Sequence, residues 1–548
     1  MTLETPSDPR PTRGRVRGSG RGTRMAAAAM AAIPLVAFAP FTASSALADS
    51  VDGQERLADL RADIDALLED PALEGATNGV VVVDPETGER LYARDGGAPL
   101  LPASNMKLFT TAAGLEILGT GHTFTTDVMV EERIGRGGSS VSDLFLVGGG
   151  DPSLTADDLD AMAQEVADSG VRTVRGDLVA DDTWFDDERL VNDWWPSDEP
   201  YAYNAQISAL TVAHGERLDT GVTEVVVTPA GEGEAVDVDL GAAEGYMELD
   251  NQAVTVAAGE SGSVVIDRPT GTNTITVTGS LPEDAQPVVR LRTVDEPAAF
   301  AGHVFRESLE RHGVRVRGDV TLGETPQDGS DAEVLADHES DQLGELLVPL
   351  LKFSNNGHTE MLVKSIGREV ADEGSWPAGL VGVEEAVAGL GVNTGDLVLN
   401  DGSGLSRTDR VTADAVTDLY TRVRDASWFD TWRAAIPVAG DPDPWVGGTL
   451  TNRMGGTAAD GVVQAKTGTM SGVSALSGYV TGPDGRDLVF SVINNGHSGW
   501  APYHVQDGIA IRIAEYLGHE APVTTFSQRG SVQRQGSGEL ECSWELTC

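Results

Sequence analysis

The spacing of apolar residues predicts a helix and a hairpin near the start of the chain. Residues 53–69 have leucines at helical spacing, which predicts an amphipathic helix. Two short apolar runs, at 79–83 and 90–94, flank a turn at 84–88 and predict a β-hairpin. A second helix is predicted to begin near Ser104. Apolar residues surround this helix on nearly all sides, so we expect it to be buried.

The other end of the chain repeats this combination of strands and a helix. Residues 473–480 and 488–495 predict a second hairpin, and residues 506–517 predict a closing helix. Between about 126 and 336, runs rich in Val and Thr predict a β-rich insertion. The chain therefore predicts an α/β (α+β) fold, with a sheet domain assembled from its two ends.

Two segments within the insertion resemble each other. Each has a helical stretch followed by a short run that begins with Gly-Val-Arg and ends in Gly-Asp, at residues 170–177 and 313–319. The match predicts a repeated helix–turn–strand unit. It is too short to define a fold by itself.

Residues 1–48 have the order of a secretory signal peptide. Residues 1–24 carry six arginines and two acids, an apolar run follows to Phe41, and a small-residue A-x-A site ends at Ala48. We expect cleavage after Ala48 and a secreted, extracytoplasmic protein, in the periplasm or cell wall, with no stable membrane span after cleavage. A membrane anchor is the alternative, but prolines interrupt the run and it is short for a span. Residues 523–548 are rich in Ser, Gln and Gly, which predicts a loose tail.

Composition and charge exclude several classes of function. The chain has 548 residues, of which 38 are basic and 86 acidic, and its net charge of −48 repels nucleic acid. The nine histidines show no HExxH or similar ligand spacing, so we expect no metal and no cofactor. The two cysteines, Cys542 and Cys548, exclude a disulfide scaffold, although they could close a small loop in an oxidising compartment.

Lysine is rare, and its positions indicate the chemistry. Only four of the 38 basic residues are lysines: Lys107, Lys352, Lys364 and Lys466. An ammonium can lose its proton when its surroundings lower its pKa, whereas a guanidinium cannot. Lys107 follows Ser104 by three residues, so on a helix its amine can reach the serine hydroxyl and activate it as a nucleophile. A helix cap with a solvated lysine is the ordinary alternative, but the apolar helix argues against solvation.

Two further motifs follow in order along the chain. Residues 354–356 form S-x-N, which offers a hydroxyl for proton relay and an amide for a substrate carbonyl or the lysine amine, although such a segment could equally be a turn. Residues 466–468 form K-T-G, in which a cation beside a hydroxyl suits a substrate carboxylate and the glycine lets a ligand lie close to the backbone. Together with S-x-x-K they form the three-part signature of the penicillin-binding and serine β-lactamase superfamily.

The chain resembles the class C low-molecular-mass penicillin-binding proteins, the D-alanyl-D-alanine carboxypeptidase/endopeptidases. The first motif serine and the S-x-N serine are 250 residues apart, which is too far for a β-lactamase, whereas a large insertion here marks that class. Segments at 148–154, 203–205 and 401–407 also look like family segments. The resemblance covers essentially residues 53–520.

The resemblance implies a serine β-lactamase/transpeptidase-like catalytic domain that is split by two smaller inserted domains. Domain I is expected at 51–125 and 337–522, domain II at 126–150 and 214–336, and domain III at 151–213. The signal peptide and the C-terminal tail lie outside these domains.

By the same resemblance, the substrate is a peptidoglycan stem peptide. Ser104 would attack the carbonyl between two D-alanines with Lys107 as base, and the backbone N–H groups of Ser104 and Thr469 would stabilise the oxyanion. Ser354 would pass a proton to the leaving amine, and Asn356 would bind the acyl-side amide. Water would then hydrolyse the acyl-enzyme, whereas β-lactams such as penicillin, which mimics the dipeptide, would be trapped on the same serine.

Substrate-binding positions also follow from the resemblance. Lys466 and Thr467, beside Gly468, would hold the terminal carboxylate. A pocket for the free end of a diaminopimelate side chain is expected from Trp195, Asp198, Tyr203, Arg407, Met470 and Ser471. In that pocket Asp198 could pair with the ammonium and Arg407 with the carboxylate. Simple packing of the tryptophan is the alternative.

Three other functions stay open at this point. A serine β-lactamase would share all three motifs, but no glutamate can be assigned as its deacylating base and the insertion would be unexplained. A Ser-His-Asp esterase is weaker, because Gly402-Ser403-Gly404 lacks the first glycine of G-x-S-x-G. An inactive cell-wall-binding scaffold is the non-enzymatic alternative, and the presence of Ser104 and Lys107 speaks against it.

Overall fold

A computed structural model describes residues 51–131, 139–326 and 332–521. The predicted signal peptide and the tail with both cysteines lie outside these residues. Within the described ranges, no helix is both long enough and apolar enough to cross a membrane.

The helices of the described residues are α1 (Val51–Leu67), α2 (Met106–Ile117), α3 (Ala156–Asp168), α4 (Pro297–Arg311), α5 (Leu343–Lys352), α6 (Asn356–Ala371), α7 (Trp376–Gly389), α8 (Ala413–Arg422), α9 (Phe429–Ala435), α10 (Pro444–Gly447) and α11 (Tyr503–Leu517). The strands are β1 (Thr77–Val83), β2 (Arg90–Arg94), β3 (Thr125–Val130), β4 (Ser140–Val141), β5 (Leu144–Gly148), β6 (Thr173–Val174), β7 (Leu178–Asp181), β8 (Ala213–His214), β9 (Asp219–Thr220), β10 (Val222–Thr228), β11 (Asp237–Asp239), β12 (Glu248–Asn251), β13 (Val254–Val256), β14 (Val264–Asp267), β15 (Thr274–Pro282), β16 (Val288–Thr293), β17 (Arg315–Val316), β18 (Val320–Leu322), β19 (Glu333–Glu339), β20 (Val463–Met470), β21 (Val473–Thr481) and β22 (Asp487–Asn495).

A five-stranded antiparallel sheet combines the two ends of the chain, in the order β2-β1-β22-β21-β20. β1 pairs with β2 on one side and with β22 on the other, where Val81 lies opposite Ser491. The hairpins β1–β2 and β21–β22 are those that the sequence predicts. The predicted α/β fold, with a sheet built from both chain ends, is confirmed.

Helices cover both faces of this sheet. On one face α1 and α11 contribute Ile64 and Ile509 to a core that also contains Val80 and Val82. Val81, whose side chain points to the opposite face, belongs to a second core formed with α2 and α8. The helices predicted at the two ends of the chain are therefore confirmed as α1 and α11.

The buried helix predicted after Ser104 is α2, and it packs against α6. Every residue of α2 from Met106 to Leu115 is buried. A Cβ on Gly114 would lie 2.9 Å from Leu362 Cδ2, so the missing side chain permits the close approach of the two helices. The first turns of α2 and α6 also touch, where Lys107 Nζ donates to Asn356 Oδ1.

The first part of the insertion forms a five-stranded mixed sheet, in the order β18-β7-β5-β3-β19. The predicted repeat is confirmed as two structural units, α3 with β6 and β7, and α4 with β17 and β18. β6 pairs in parallel with β17, and β7 pairs in parallel with β18, so the two units lie side by side. Their helices contact each other.

Strand pairing crosses the predicted boundary between the two inserted domains. β7 falls within the predicted domain III, at 151–213, yet it lies between β5 and β18, which fall at 126–150 and 214–336. This pairing favours placing α3, β6 and β7 in one body with the segments expected to form domain II. The division of the insertion into two domains stays a prediction.

The second part of the insertion is the β-rich region that the Val/Thr runs predict. β10 pairs with β11 and β16, and β15 pairs with β12, β13 and β14. Arg268 directly follows β14, is fully buried, and forms an ion pair with buried Glu199. This pair connects the β-rich region to the segment at 195–205, part of which lines the cleft described below.

Candidate active site

Ser104 lies at a backbone corner just before α2. Ala103 has a φ of 46°, in the left-handed region that residues with a Cβ rarely adopt, and Ser104 follows it onto the surface of a cleft. Buried Asn105 donates from Nδ2 to the Lys466 carbonyl oxygen at 3.1 Å. The corner is therefore attached directly to β20.

Lys107 is fully buried and its amine lies beside Ser104. Its Nζ is 2.6 Å from Asn356 Oδ1, 2.9 Å from the Ser403 carbonyl oxygen and 3.3 Å from Ser104 Oγ. The contact that the S-x-x-K spacing predicts is therefore present. A neutral amine in this position can donate one N–H to each carbonyl oxygen and direct its lone pair at the serine hydroxyl.

The S-x-N motif connects α5 to α6 and faces the same site. Ser354 has a φ of 60°, and its Oγ accepts a hydrogen bond from Lys466 Nζ at 2.8 Å. Asn356 accepts from Lys107 and donates from Nδ2 to the Tyr203 carbonyl oxygen at 2.8 Å. The motif therefore joins the two lysines and one wall of the cleft, which an isolated turn would not do.

The K-T-G motif lies on the edge strand β20 beside the Ser104 corner. Lys466 and Thr467 are fully buried, and Thr467 Oγ1 donates to Thr449 Oγ1 at 2.8 Å. A Cβ on Gly468 would lie 3.0 Å from Ser104 N. The glycine therefore lets the Ser104 corner pack against the strand, whereas the sequence interpretation placed a ligand against it.

A cleft opens beside Ser104. Its lining comes from the motif segments, the 401–407 loop and the insertion: Ser104, Trp195, Asp198, Tyr203, Asn356, Gly404, Leu405, Arg407, Thr469, Met470 and Ser471. Lys107, Ser354 and Lys466 are buried beneath this surface, where Lys466 donates to Ser354 and Lys107 donates to Asn356.

One wall of the cleft is formed by Arg407 and Trp195. The Arg407 guanidinium lies 4.9 Å from the centre of the Trp195 ring, and its Nη1 donates to the Ser471 carbonyl oxygen at 2.8 Å. Burial lowers the pKa of Arg407, and the negative charge of Asp198 partly offsets this. All six predicted pocket residues therefore line one cleft with Ser104: Trp195, Asp198, Tyr203, Arg407, Met470 and Ser471.

The sequence analysis missed a buried carboxyl group next to the site. Glu360 lies one turn after Asn356 on α6 and is fully buried. Its oxygens accept from Gly402 N at 3.0 Å, from Ser403 N at 2.7 Å and from Trp376 Nε1 at 2.8 Å. Burial, with a contribution from the charge of a nearby aspartate, raises the pKa of Glu360 to about 7.

Two aspartates complete this buried group. Asp401 accepts from Gly404 N and Ser406 N, each at 2.6 Å, and from Trp194 Nε1 at 2.9 Å. Burial, followed by the charge of Asp401, holds the pKa of Asp409 well above its usual range. The chain has 86 acidic residues, and one signal could have singled out Glu360 among them: it follows Asn356 of the S-x-N motif at i, i+4 spacing.

Comparison with known families decides the class of the protein. The family described as "D-Ala-D-Ala carboxypeptidase 3 (S13)" matches residues 60–516. The chain belongs to this family. It is a D-alanyl-D-alanine carboxypeptidase, and the resemblance to penicillin-binding proteins of that type is confirmed.

Individual members of the family give the same result. The D-alanyl-D-alanine carboxypeptidase of Actinomadura sp. (strain R39) is 68% identical over 542 residues, which cover 99% of each chain. The carboxypeptidase DacB of Haemophilus influenzae is 25% identical over 433 residues, 78% of this chain and 86% of the relative. The crystal structure of penicillin binding protein 4 (dacB) from Haemophilus influenzae has a TM-score of 0.71 at 24% identity and covers 83% of this chain and 99% of that one, which shows a shared fold.

Proposed function

We propose that this carboxypeptidase hydrolyses peptidoglycan stem peptides and their cross-links through an acyl-enzyme on Ser104. The observation that carries the proposal is the 3.3 Å contact between Ser104 Oγ and the amine of buried Lys107. Lys107 takes the hydroxyl proton while Ser104 Oγ bonds to the carbonyl carbon between the two D-alanines. At 3.3 Å the Ser104 hydroxyl and the Lys107 amine are close enough for direct proton transfer.

The remaining motif residues serve the later steps. The N–H groups of Ser104 and Thr469 stabilise the tetrahedral oxyanion, and Asn356 binds the acyl-side amide. Ser354, 2.8 Å from Lys466 Nζ, relays to the leaving amine the proton that Lys107 took from Ser104, as the C–N bond breaks and D-alanine departs. Water then attacks the ester carbonyl, which releases the shortened peptide and restores the serine hydroxyl.

The terminal carboxylate of the substrate binds beside β20. Lys466 supplies the positive charge and Thr467 a hydroxyl, which exchanges its bond to Thr449 for one to the ligand. The position of K-T-G directly beside Ser104, with a Cβ at Gly468 only 3.0 Å from Ser104 N, supports this arrangement. The carboxylate is thereby anchored one residue beyond the bond to be broken.

The cleft wall selects the side chain of the stem peptide. Asp198 pairs with the ammonium and Arg407 with the carboxylate of a free diaminopimelate end, while Trp195, 51% exposed, covers its methylene groups. A peptide with that end should have a higher kcat/KM than the same peptide with a plain alkyl end, and Asp198→Ala should remove the difference. Equal values for the wild type would exclude the pocket.

The other functions are less well supported by the same geometry. Both oxygens of Glu360 accept N–H groups in a fully buried position, so it does not serve as the deacylating base of a β-lactamase. Ser403 is only 1% exposed, which argues against an esterase nucleophile there. A buried lysine amine beside a serine that lines a cleft argues against a scaffold without activity.

Acylation by benzylpenicillin tests the proposal. Incubation should add one penicillin mass to the intact protein, and peptide mapping should place it on Ser104, with no addition to Ser104→Ala. Release of D-alanine from a D-Ala-D-Ala peptide is measured in parallel. A label on Ser354 or Ser403 would overturn the assigned mechanism. Since the substrate lies in the cell wall, we also propose that residues 1–48 direct export, which N-terminal sequencing of the secreted protein checks.

A further inference from the structure

The residues that hold Lys107 include a backbone carbonyl, and the 401–404 segment that carries it is fixed by two buried carboxyl groups. Thr110 Oγ1 donates to the Gly402 carbonyl oxygen at 2.8 Å, and Lys107 Nζ donates to the Ser403 carbonyl oxygen at 2.9 Å. Each carbonyl shares a rigid peptide plane with the N–H of the next residue. The direction of each carbonyl is therefore set by the partner of that N–H.

Those partners are the carboxyl groups of Glu360 and Asp401. The Ser403 N–H, in the plane of the Gly402 carbonyl, donates to Glu360 Oε1 at 2.7 Å. The Gly404 N–H, in the plane of the Ser403 carbonyl, donates to Asp401 Oδ1 at 2.6 Å. Glu360 and Asp401 are both fully buried, so water does not compete for these N–H groups.

The same segment packs directly on the Ser104 corner. Gly404 has a φ of 86°, and a Cβ there would lie 1.9 Å from the Ala103 carbonyl oxygen. Leu405 and Arg407, which follow, line the cleft. One loop therefore touches the corner, the lysine and the substrate pocket, and its backbone direction affects all three.

The direction of the Ser403 carbonyl matters because of the valence of an amine. A neutral lysine has two N–H bonds and one lone pair. When Asn356 Oδ1 and the Ser403 carbonyl oxygen accept the two N–H bonds, the lone pair is left for the Ser104 hydroxyl, which is the third neighbour of Nζ. If the Ser403 carbonyl turned away, the amine could rotate and direct an N–H at Ser104 instead.

We infer that Glu360 and Asp401 are positioning residues for acylation, two buried carboxyl groups that hold consecutive peptide planes so that the Ser403 carbonyl orients the Lys107 amine toward Ser104. The inference rests on the proposed function, since it concerns proton transfer from Ser104 Oγ to Lys107 Nζ. Neither carboxyl group touches the substrate. Their effect passes through the loop backbone.

Glu360→Gln is the informative change, because glutamine keeps the size but places an NH₂ group against an N–H donor. The glutamine amide oxygen can accept either from the loop N–H of Ser403 or from Trp376 Nε1. The amide NH₂ then faces the donor that is left, so two donors point at each other. We expect the rate constant of benzylpenicillin acylation to fall about 10²-fold, as for a misplaced reacting group. Adding Trp376→Phe removes one of the two donors that face Glu360 Oε2, the other being Gly402 N at 3.0 Å, and should restore part of the rate.

Two controls separate positioning from general damage. Glu116, an exposed residue of α2, accepts from Trp428 Nε1 at 2.9 Å, so Glu116→Gln alters a carboxylate–indole pair at the surface and away from the loop, and should acylate at the wild-type rate. The rate constant comes from the time course of the mass shift, so it does not depend on how much protein is folded. The pH profile of acylation should also change in Glu360→Gln, since the base has a new environment, and a merely structural role would leave it in place.

The outcomes distinguish this inference from the proposed function. No acylation of the wild type contradicts the proposed function. If the wild type and Glu360→Gln are acylated at the same rate and with the same pH profile, only the positioning role is contradicted. The absence of rescue by Trp376→Phe would contradict it as well. If Glu360→Gln does not fold, Asp401→Asn alters the other carboxyl group, which accepts from Gly404 N, and a rate equal to the wild type's would likewise refute the inference.

Discussion

Replacing Lys107 by arginine tests the proposed base, because it removes the amine lone pair and leaves N–H donors in the site. The amine is fully buried between Asn356 Oδ1, at 2.6 Å, and the Ser403 carbonyl oxygen, at 2.9 Å. A guanidinium can donate to both of these acceptors, but it has no lone pair and does not lose its proton at working pH. The change therefore removes the base and keeps the N–H donors.

The size of the effect follows from the two roles of the side chain. A positioned general base contributes about 10²–10⁴-fold, so we expect acylation to slow by about 10³-fold, or about 4 kcal/mol at ~1.36 kcal/mol per factor of ten. The larger guanidinium also overpacks a filled interior, which costs about 1–3 kcal/mol of stability. Lys364 is equally buried, beside Asp186, so Lys364→Arg is a matched control for that packing cost.

The assay is the time course of the benzylpenicillin adduct by intact mass, with urea unfolding of the same samples. Both variants should lose comparable stability, but only Lys107→Arg should lose the adduct. Wild-type acylation by folded Lys107→Arg would refute the assignment of the base and leave Lys107 with a structural role. Loss of acylation in Lys364→Arg as well would show that packing, rather than the proton, limits the reaction.

Three further changes test the buried charges and the surface. Burial holds the pKa of Asp409 well above its usual 3.8, so the folded state keeps a proton that the unfolded state releases. The wild type therefore loses stability as pH rises above the pKa of the unfolded state. Asp409→Asn should gain stability relative to the wild type between about pH 5 and about pH 8. Arg268→Met leaves buried Glu199 unpaired and should cost about 3–5 kcal/mol in urea unfolding, part of which Glu199→Gln in the same chain should recover. The net charge of −48 predicts a thermal midpoint that rises between about 0.05 and about 1 M NaCl, as the Debye length shrinks to ~3 Å.

Each of these expectations has a plain contrary result. A stability difference between Asp409→Asn and the wild type that does not change with pH would show that this carboxyl group titrates normally. An Arg268→Met variant within about 1 kcal/mol of the wild type would mean that Glu199 finds other partners or becomes protonated. A thermal midpoint that is flat or falls with salt would attribute the acidity to coding bias, without bearing on the active site.

Local patterns predicted much of the catalytic domain and the contact at its centre. The i, i+3 spacing of Ser104 and Lys107 is a property of one helical turn, so the sequence alone could place the amine near the hydroxyl. The two terminal hairpins and the helices beside them depend on alternation and turn residues over a few positions. The motif at 466–468 also lies beside the Ser104 corner, against which its glycine packs.

What the sequence could not predict depends on contacts between distant segments. Glu360 and Asp401 look like ordinary surface acids until the fold places N–H donors around them. The pairing of β7 with β5 and β18 joins strands from three places in the chain, so linear boundaries did not reveal it. Resemblance, rather than the pattern of residues, supplied the pocket around Asp198.

The insertion reaches the site through the segment at 195–205. Arg268 Nη2 donates to Thr293 Oγ1 at 2.8 Å and pairs with Glu199, and Gly271 N donates to Glu199 Oε2 at 3.1 Å. Glu199 adjoins Asp198 in the chain. The β-rich region therefore holds the backbone of the proposed specificity wall from behind, which gives the long insertion a physical connection to substrate choice.

The four lysines show why burial alone does not identify a base. All four are buried. Burial lowers the pKa of Lys364 and lowers that of Lys352 to about 8, yet Lys364 pairs with a carboxylate and Lys352 donates to two backbone carbonyls. Lys107 and Lys466 instead contact serine hydroxyls, of Ser104 and Ser354. Of these two serines, Ser104 lines the cleft, so the serine beside Lys107 is the one placed to attack a substrate carbonyl. The few lysines of this protein are therefore interior residues. The proposed base differs from the other three because the serine hydroxyl beside it lines the cleft.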